Sequence, residues 1–447
     1  MPTPQIPAPL TRESLGIPGE RERYLLRKRI VRAKLNGTML PAMRRHGIDM
    51  WIMIGREFNA DPLLMDIGGG WPGVRNAYVF FDRGGDAPEK IFLGSHEQRE
   101  DLFRDVYDVV TYYGYDQAGL APYLRDVVHA RNPQRIGINM SPTLPMADGL
   151  TATLKGYLEN AIGPEYTARL VSAELVARDF RATRLPEEFG PYRRLCEWTV
   201  AWLDEGFSPR VVQPGVTTAA DIHWHMRAKA RELGLECEFL PGLVIYRQGD
   251  PLPVNTPDHA ILPGDVITMD AGLAFDLYRS DYQRTAYVLR EGEKEPPESF
   301  RRAYADAIRV RDKLIENMIP GEIAYQVFDT TMAWAEAEGY EVMYPAAGGR
   351  KGAITKPQVG IYSHSIGNAT HGIGARIAVN WPTAYGDRVG YPLQANEWYS
   401  VELGVHTPIP EWGGRTMFVG VEEDVALLDS GVEFFAKPQE ELIVIPT

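Results

Sequence analysis

The chain has 447 residues, 44% of them hydrophobic and 24% charged, a globular composition that excludes a disordered or fibrous protein. Lys and Arg number 47 against 60 Asp and Glu, a net charge of −13 that argues against nucleic acid or an anionic membrane as partner. Apolar runs fall well short of 18 residues and the N-terminus lacks a charged stretch followed by an apolar one, so we expect neither a membrane span nor a signal peptide, and a cytoplasmic location. The two cysteines, Cys196 and Cys237, form no Cys-x-x-Cys pair, in keeping with a reducing compartment.

Residues 1–20, rich in Pro, read as an extended arm. Residues 21–178 alternate helix and strand and predict an α/β domain. A helix is expected over Arg23–Arg45, kinked or divided by Pro41 and ended by Gly47. Strands are expected at Met50–Ile54, Ala77–Phe81, Lys90–Leu93 and Arg135–Ile138, with a helix over Leu120–Ala130. The polar stretch Arg178–Glu188 marks the boundary to a second domain, 179–447, which opens with a helix over Glu187–Phe207.

The second half carries an internal repeat. Pro214-Gly215 opens a helical segment that stops at Gly234, and Pro320-Gly321 opens one that stops at Gly339. Further on, the strand before Asp270-Ala271-Gly272 parallels the strand before Glu402-Leu403-Gly404. Such punctuation is common in isolation; two tandem αβ units imply a pseudo-two-fold domain with a site between its halves.

Asp270 and Asp281 each adjoin apolar, strand-like sequence, and a hairpin would bring the two carboxylates side by side. Two buried carboxylates cannot both ionise without a cation. An isolated pair of this kind is more often a turn and a surface charge. Three later residues alter the balance: His371 in Thr370-His371-Gly372, Glu402 ending the second repeat strand, and Glu422 entering a strand.

This ordered set resembles the creatinase/methionine-aminopeptidase superfamily with its pita-bread fold, and within it the Xaa-Pro aminopeptidase and prolidase branch. The resemblance is carried by residues 180–447, with a looser match of the N-terminal α/β domain. It implies an α+β, two-domain chain. It also implies two divalent metal ions, with Asp270 on the first, Asp281 and Glu422 bridging, and His371 and Glu402 completing the second. Four carboxylates and an imidazole suit manganese foremost, with zinc, cobalt or iron as alternatives. A hydroxide between the metals would then cleave the amide bond before proline. The relatives are commonly homodimers, so a dimer acting on a small peptide or amide is expected.

Two departures from the pattern stand out. A family histidine about seventeen residues before the first metal Asp falls here near Pro253. A second, about seven residues after the metal His, falls here at Ala378. Leu403 also replaces a family Pro. We therefore weigh His364 and His406 as catalytic histidines and Arg247 as a guanidinium for a substrate carboxylate. Each also has a plain reading as a loop or strand-end residue. The altered histidines leave room for a hydrolase of a non-peptide amide, or for a non-catalytic binding protein.

Overall fold

The computed structural model describes residues 8–95, 104–114, 119–249, 258–342, 354–380 and 386–447. Its packing divides the chain into two compact units, one of residues 19–188 and one of residues 1–18 with 189–447. This division falls at the C-terminal end of the stretch Arg178–Glu188 in which the boundary is expected, ten residues past 178. Residues Glu174–Ala182 form a helix whose Val176, Ala177 and Phe180 are buried, and the division falls inside the following helix, Pro186–Gly206.

The unit of residues 19–188 begins with helices α1 (Glu20–Gly37) and α2 (Met39–Arg45). The chain breaks at Thr38, not at Pro41. The Thr38 hydroxyl donates to the Lys34 carbonyl at 3.0 Å, and Pro41 falls in the first turn of α2, where its missing N–H costs nothing. Gly47 then turns the chain at φ +63°. The strands are β1 (Met50–Gly55), β2 (Asn76–Phe81), β3 (Glu89–Gly94), β4 (Val109–Tyr112), β5 (Ile136–Ile138) and β6 (Leu170–Ser172). They form one sheet in the order β4-β3-β2-β1-β5-β6. Helices α3 (Ala121–Arg131) and α4 (Ala152–Ile162) bury Leu124, Val128, Leu154 and Leu158 against Ile52, Val79 and Ile91 of that sheet.

In the other unit, α5 (Pro186–Gly206) is followed by α6 (Ala219–Glu232), β7 (Glu236–Cys237), β8 (Gly242–Tyr246), β9 (Val266–Ala271), β10 (Leu273–Phe275), β11 (Tyr278–Arg279) and β12 (Tyr282–Val288). Then come α7 (Glu298–Asn317), α8 (Ala324–Ala337), β13 (Glu341–Val342), β14 (Gln358–Ile361), β15 (His364–Ser365), β16 (Glu397–Ile409), β17 (Arg415–Leu428), β18 (Gly431–Phe434) and β19 (Ile443–Ile445). The main sheet runs β13-β14-β16-β17-β12-β9-β8, and its centre lies between β17 and β12. The repeat shows in its hydrogen bonds. Gly215 N–H donates to Ile261 O at 2.6 Å and Gly321 N–H to Leu393 O at 2.7 Å. Leu235 N–H donates to Ala230 O and Tyr340 N–H to Ala335 O, each closing its helix after a glycine of positive φ, Gly234 or Gly339.

Alternation along the strands sorts the side chains. Val401, Leu403 and Val405 of β16, with Val419 and Val421 of β17, pack on Phe300, Ala303, Tyr304 and Ala307 of α7. The intervening residues, Glu402 and Glu422 among them, take the opposite face. Among the described residues, no helix is long and apolar enough to cross a membrane.

Candidate metal centre

Register builds the site. Gln283 of β12 stands opposite Asp270 of β9 on one side and Glu422 of β17 on the other, and Glu422 stands opposite Glu402 of β16. Directly opposed residues share a face, so Asp270, Gln283, Glu422 and Glu402 form one row across four strands. Asp281, two residues before Gln283, precedes the same strand. His364 lies on β15, which pairs with β16 at Ser400, two residues from Glu402.

His364 is 1% exposed. Its Nε2 lies 3.8 Å from Asp281 Oδ2, from Glu402 Oε2 and from Glu422 Oε1. One donor atom each from Asp281, His364 and Glu422 falls within 4.8 Å of the others. His364 Nδ1 is 3.1 Å from the Ser365 carbonyl oxygen. A carbonyl only accepts, so Nδ1 carries the hydrogen and Nε2 turns a lone pair toward three carboxylates. Burial and then the neighbouring His371, Arg376 and Arg388 hold this imidazole's pKa well down, so it does not protonate to relieve the clash.

The carboxylates are strained in the opposite sense. Burial pushes Asp270 up to about 6. Burial, then Asp270, pushes Glu402 up to about 7, with Arg376 opposing. Asp281 and Glu422 are raised much further, by burial and then by the other carboxylates. Asp270 Oδ1, Asp281 Oδ1 and His364 Nε2 are buried without hydrogen-bond partners. An orphaned imidazole lone pair 3.8 Å from three carboxylate oxygens fits a shared cation, whose bonds to O and N ligands run ~2.0–2.2 Å. Asp270, Asp281, His364, Glu402 and Glu422 are thus the residues that could hold metal.

Neighbours fix these groups. Ser400 Oγ donates to Glu422 Oε1 at 2.7 Å, and Gln283 Nε2 donates to Glu402 Oε1 at 3.3 Å. The backbone N–H of Asp281 donates to Asp424 Oδ2 at 3.1 Å, and the Tyr192 hydroxyl donates to the same oxygen at 3.0 Å. Ser400, Gln283 and Asp424 each lie two residues from a site carboxylate. The two-residue period of a strand is the sequence signal that puts each on the same face as its carboxylate.

The two histidines exchange places relative to expectation. His371, expected as the ligand, is exposed and meets the cluster through the ring of His364, edge on, with centroids 4.6 Å apart. The cause is local. Gly372 and Gly374 lie so close to Ser365 that a Cβ on either would come within 2.9 Å of it, which holds the His371 loop outside β15. Arg388 donates to the carbonyls of Gly372 and Gly374 and braces that loop. Burial and then Arg376 push the Arg388 guanidinium down to about 10.

Two other expected residues stand apart. Arg247 makes a two-pronged pair with buried Asp265, 2.8 Å at each prong, and donates to Ala260 O at 2.7 Å. That commitment to neutralising Asp265 removes it as a substrate anchor. His406 packs on Phe418 at 4.7 Å between centroids, four residues along β16 from Glu402, which is ~13 Å of strand. Ala378 is core, 1% exposed, and Pro253 lies outside the described residues.

A mixed sheet that carries a cluster of carboxylates and an imidazole, in a chain with a second α/β unit, defines the pita-bread class of metal-dependent hydrolases. The chain belongs to metallopeptidase family M24, whose model matches residues 191–429. An Xaa-Pro dipeptidase of Pyrococcus furiosus is 23% identical over 278 residues, 60% of this chain and 67% of that protein. The X-Pro aminopeptidase from Thermotoga maritima superposes with a TM-score of 0.66 at 15% identity, over 91% of this chain and 100% of that one. The N-terminal domain of the FACT complex subunit SPT16 from chickpea, Cicer arietinum, superposes with 0.60 at 12% identity, over 93% and 99%. Shared architecture therefore extends to a chain named for a complex and not for a peptidase, so this fold alone does not specify catalysis.

Proposed function

We propose that this metallopeptidase is a dinuclear Xaa-Pro peptidase that removes the residue before proline. The observation that carries the reading is the buried His364 Nε2, a lone pair 3.8 Å from oxygens of Asp281, Glu402 and Glu422, an arrangement that a shared cation would reconcile. Asp270 would hold one metal, His364 and Glu402 the other, and Asp281 and Glu422 both. The ions, manganese in the first instance, would supply Lewis acidity and an acidified water.

The protein's own residues do the rest. With His364 as ligand, the family's second histidine, seven residues on, is His371 and not Ala378. His371 sits at the rim with its side chain open to solvent on one side; partial desolvation on the other, then Arg376 and Arg388, lower its pKa, so at pH 7 it is neutral and carries one N–H. That N–H is suited to donate to a scissile carbonyl oxygen as negative charge develops there. Arg376, bridged across the backbone to His364, and Arg388 keep the rim cationic toward an anionic peptide terminus. The alternative of a non-peptide amide rests on two absent histidines; on this reading His371 fills the place of one of them, which favours a peptide substrate.

The test is hydrolysis of Xaa-Pro dipeptides and longer Xaa-Pro peptides by metal-loaded protein beside Asp281→Ala. Turnover by the parent and background rates in the variant are expected. No metal uptake by the parent, or equal turnover in both, would sink the reading. We extend it to a homodimer, which light scattering on the full chain checks: a mass near 50 kDa, that of one chain of 50.1 kDa, would contradict it.

A further inference from the structure

The row across the four strands holds three carboxylates and one neutral group, Gln283. The residue is 8% exposed, and its Nε2 donates to Glu402 Oε1. The other oxygen of the same carboxylate, Oε2, is the one that faces His364 Nε2 at 3.8 Å. The amide therefore decides which Glu402 oxygen points into the cluster. Glu402 has the most exposed carboxylate in that contact set, 22% for its side chain against 5% for Asp281 and 2% for Glu422. It has the most freedom to swing away and the greatest need of an anchor.

The sheet is cut to admit this amide. A Cβ on Gly420 would stand 2.0 Å from Gln283 Oε1. Gly404, opposite Gly420 on β16, would place a Cβ 1.9 Å from the Phe418 ring. Two facing glycines thus form a floor that receives the Gln283 amide on one side and the Phe418 ring on the other. Gly420 has no positive φ to explain it, so side-chain space is the reason for a glycine there.

We propose that Gln283 is the positioning residue of the centre: its amide locks Glu402 with one oxygen aimed at the cation shared with His364, and Gly420 is the space it requires. The inference rests on the metal-centre reading above. Groups that hydrogen-bond a metal ligand typically account for ~10–100-fold in metal affinity.

The experiment is calorimetric titration of Mn²⁺ into metal-free full-length protein, with Co²⁺ absorption spectra and thermal melts alongside. The parent should bind in two steps. In Gln283→Leu the step that depends on Glu402 should weaken by ~10–100-fold, with the other step and the metal-free Tm held, and the Co²⁺ spectrum of the weaker step should change. Gly420→Ala, which leaves Gln283 in the sequence and pushes its amide off Glu402, should give the same result. Unchanged affinities in both variants overturn the proposal. So does equal weakening of both steps with a fallen Tm, the mark of a merely structural role. A parent that takes up no Mn²⁺ overturns the metal-centre reading and this proposal with it, whereas two-step binding at the parent's affinities in all three proteins overturns this proposal alone.

Discussion

His364 and His371 sit seven residues apart in one Gly-rich segment, and burial gives them different work. His364 has its Nδ1 hydrogen tied to Ser365 and its Nε2 inside the cluster, whereas His371 is exposed beside it. Removing each should therefore fail differently. His364→Ala is expected to lose tight metal uptake in a titration, and activity with it. His371→Ala is expected to load metal as the parent does and to lose about 100-fold or more in kcat, the scale of a positioned proton donor. Equal metal affinity in His364→Ala would refute the assignment. The sequence distinguished the residue types and not the order. His371 is flanked by glycines, which suggested close backbone approach, and the glycines do approach Ser365, but to press the loop outside the strand. What placed His364 in the cluster is pairing of β15 with β16 at Ser400, a contact across more than thirty residues that local spacing does not encode. Asp270, Asp281, Glu402 and Glu422 were legible because each ends or begins an apolar, β-branched run.

The elements carry the same lesson at a larger size. The Pro-Gly and Gly punctuation of α6 and α8 was readable in the chain, and both helices close on matching hydrogen bonds. The join between the repeats was not readable. Strands β12 and β17 meet in register at Gln283 and Glu422, and beyond that point side chains take over from the ladder. Gln439 does so directly: its Oε1 accepts from Thr285 N–H at 3.0 Å and its Nε2 donates to Thr285 O at 2.7 Å. An amide side chain thus stands in for a strand. Beside it Arg284 and Glu423, 2% and 1% exposed, pair at 2.9 Å. Gln439→Ala would leave both polar groups of the Thr285 backbone buried and unpaired. We expect a loss on the order of 2–4 kcal/mol, read as a lower urea midpoint by a probe in this unit. A midpoint within error of the parent would show that another group satisfies Thr285. Nothing in the residues around Gln439 announces this role, because its partner lies 154 positions away.

For the molecule as a whole, charge and stability meet at the centre. Two divalent ions would change the formal balance from −13 to −9, the sum of −13 and +4. The effect on folding exceeds what that change suggests, because the acids concerned are buried. In the metal-free chain Asp270 titrates near 6 and Glu402 near 7, against ordinary values of 3.8 and 4.5. The folded state holds these protons more tightly than the unfolded state. The stability this provides is complete below pH ~4 and is lost as pH rises through 6 and 7. Asp281 and Glu422, raised further, extend the loss upward. A cation replaces the protons and reverses the slope, since it binds the ionised carboxylates of the folded chain alone. Calorimetry of metal-free and Mn²⁺-loaded protein should therefore show a Tm gap that is small near pH 5 and widens steadily to pH 8, with protons released on loading below pH 7. A gap that stays constant over that range would mean that the buried carboxylates do not exchange protons for metal, and that the orphaned acceptors around His364 are reconciled in some other way.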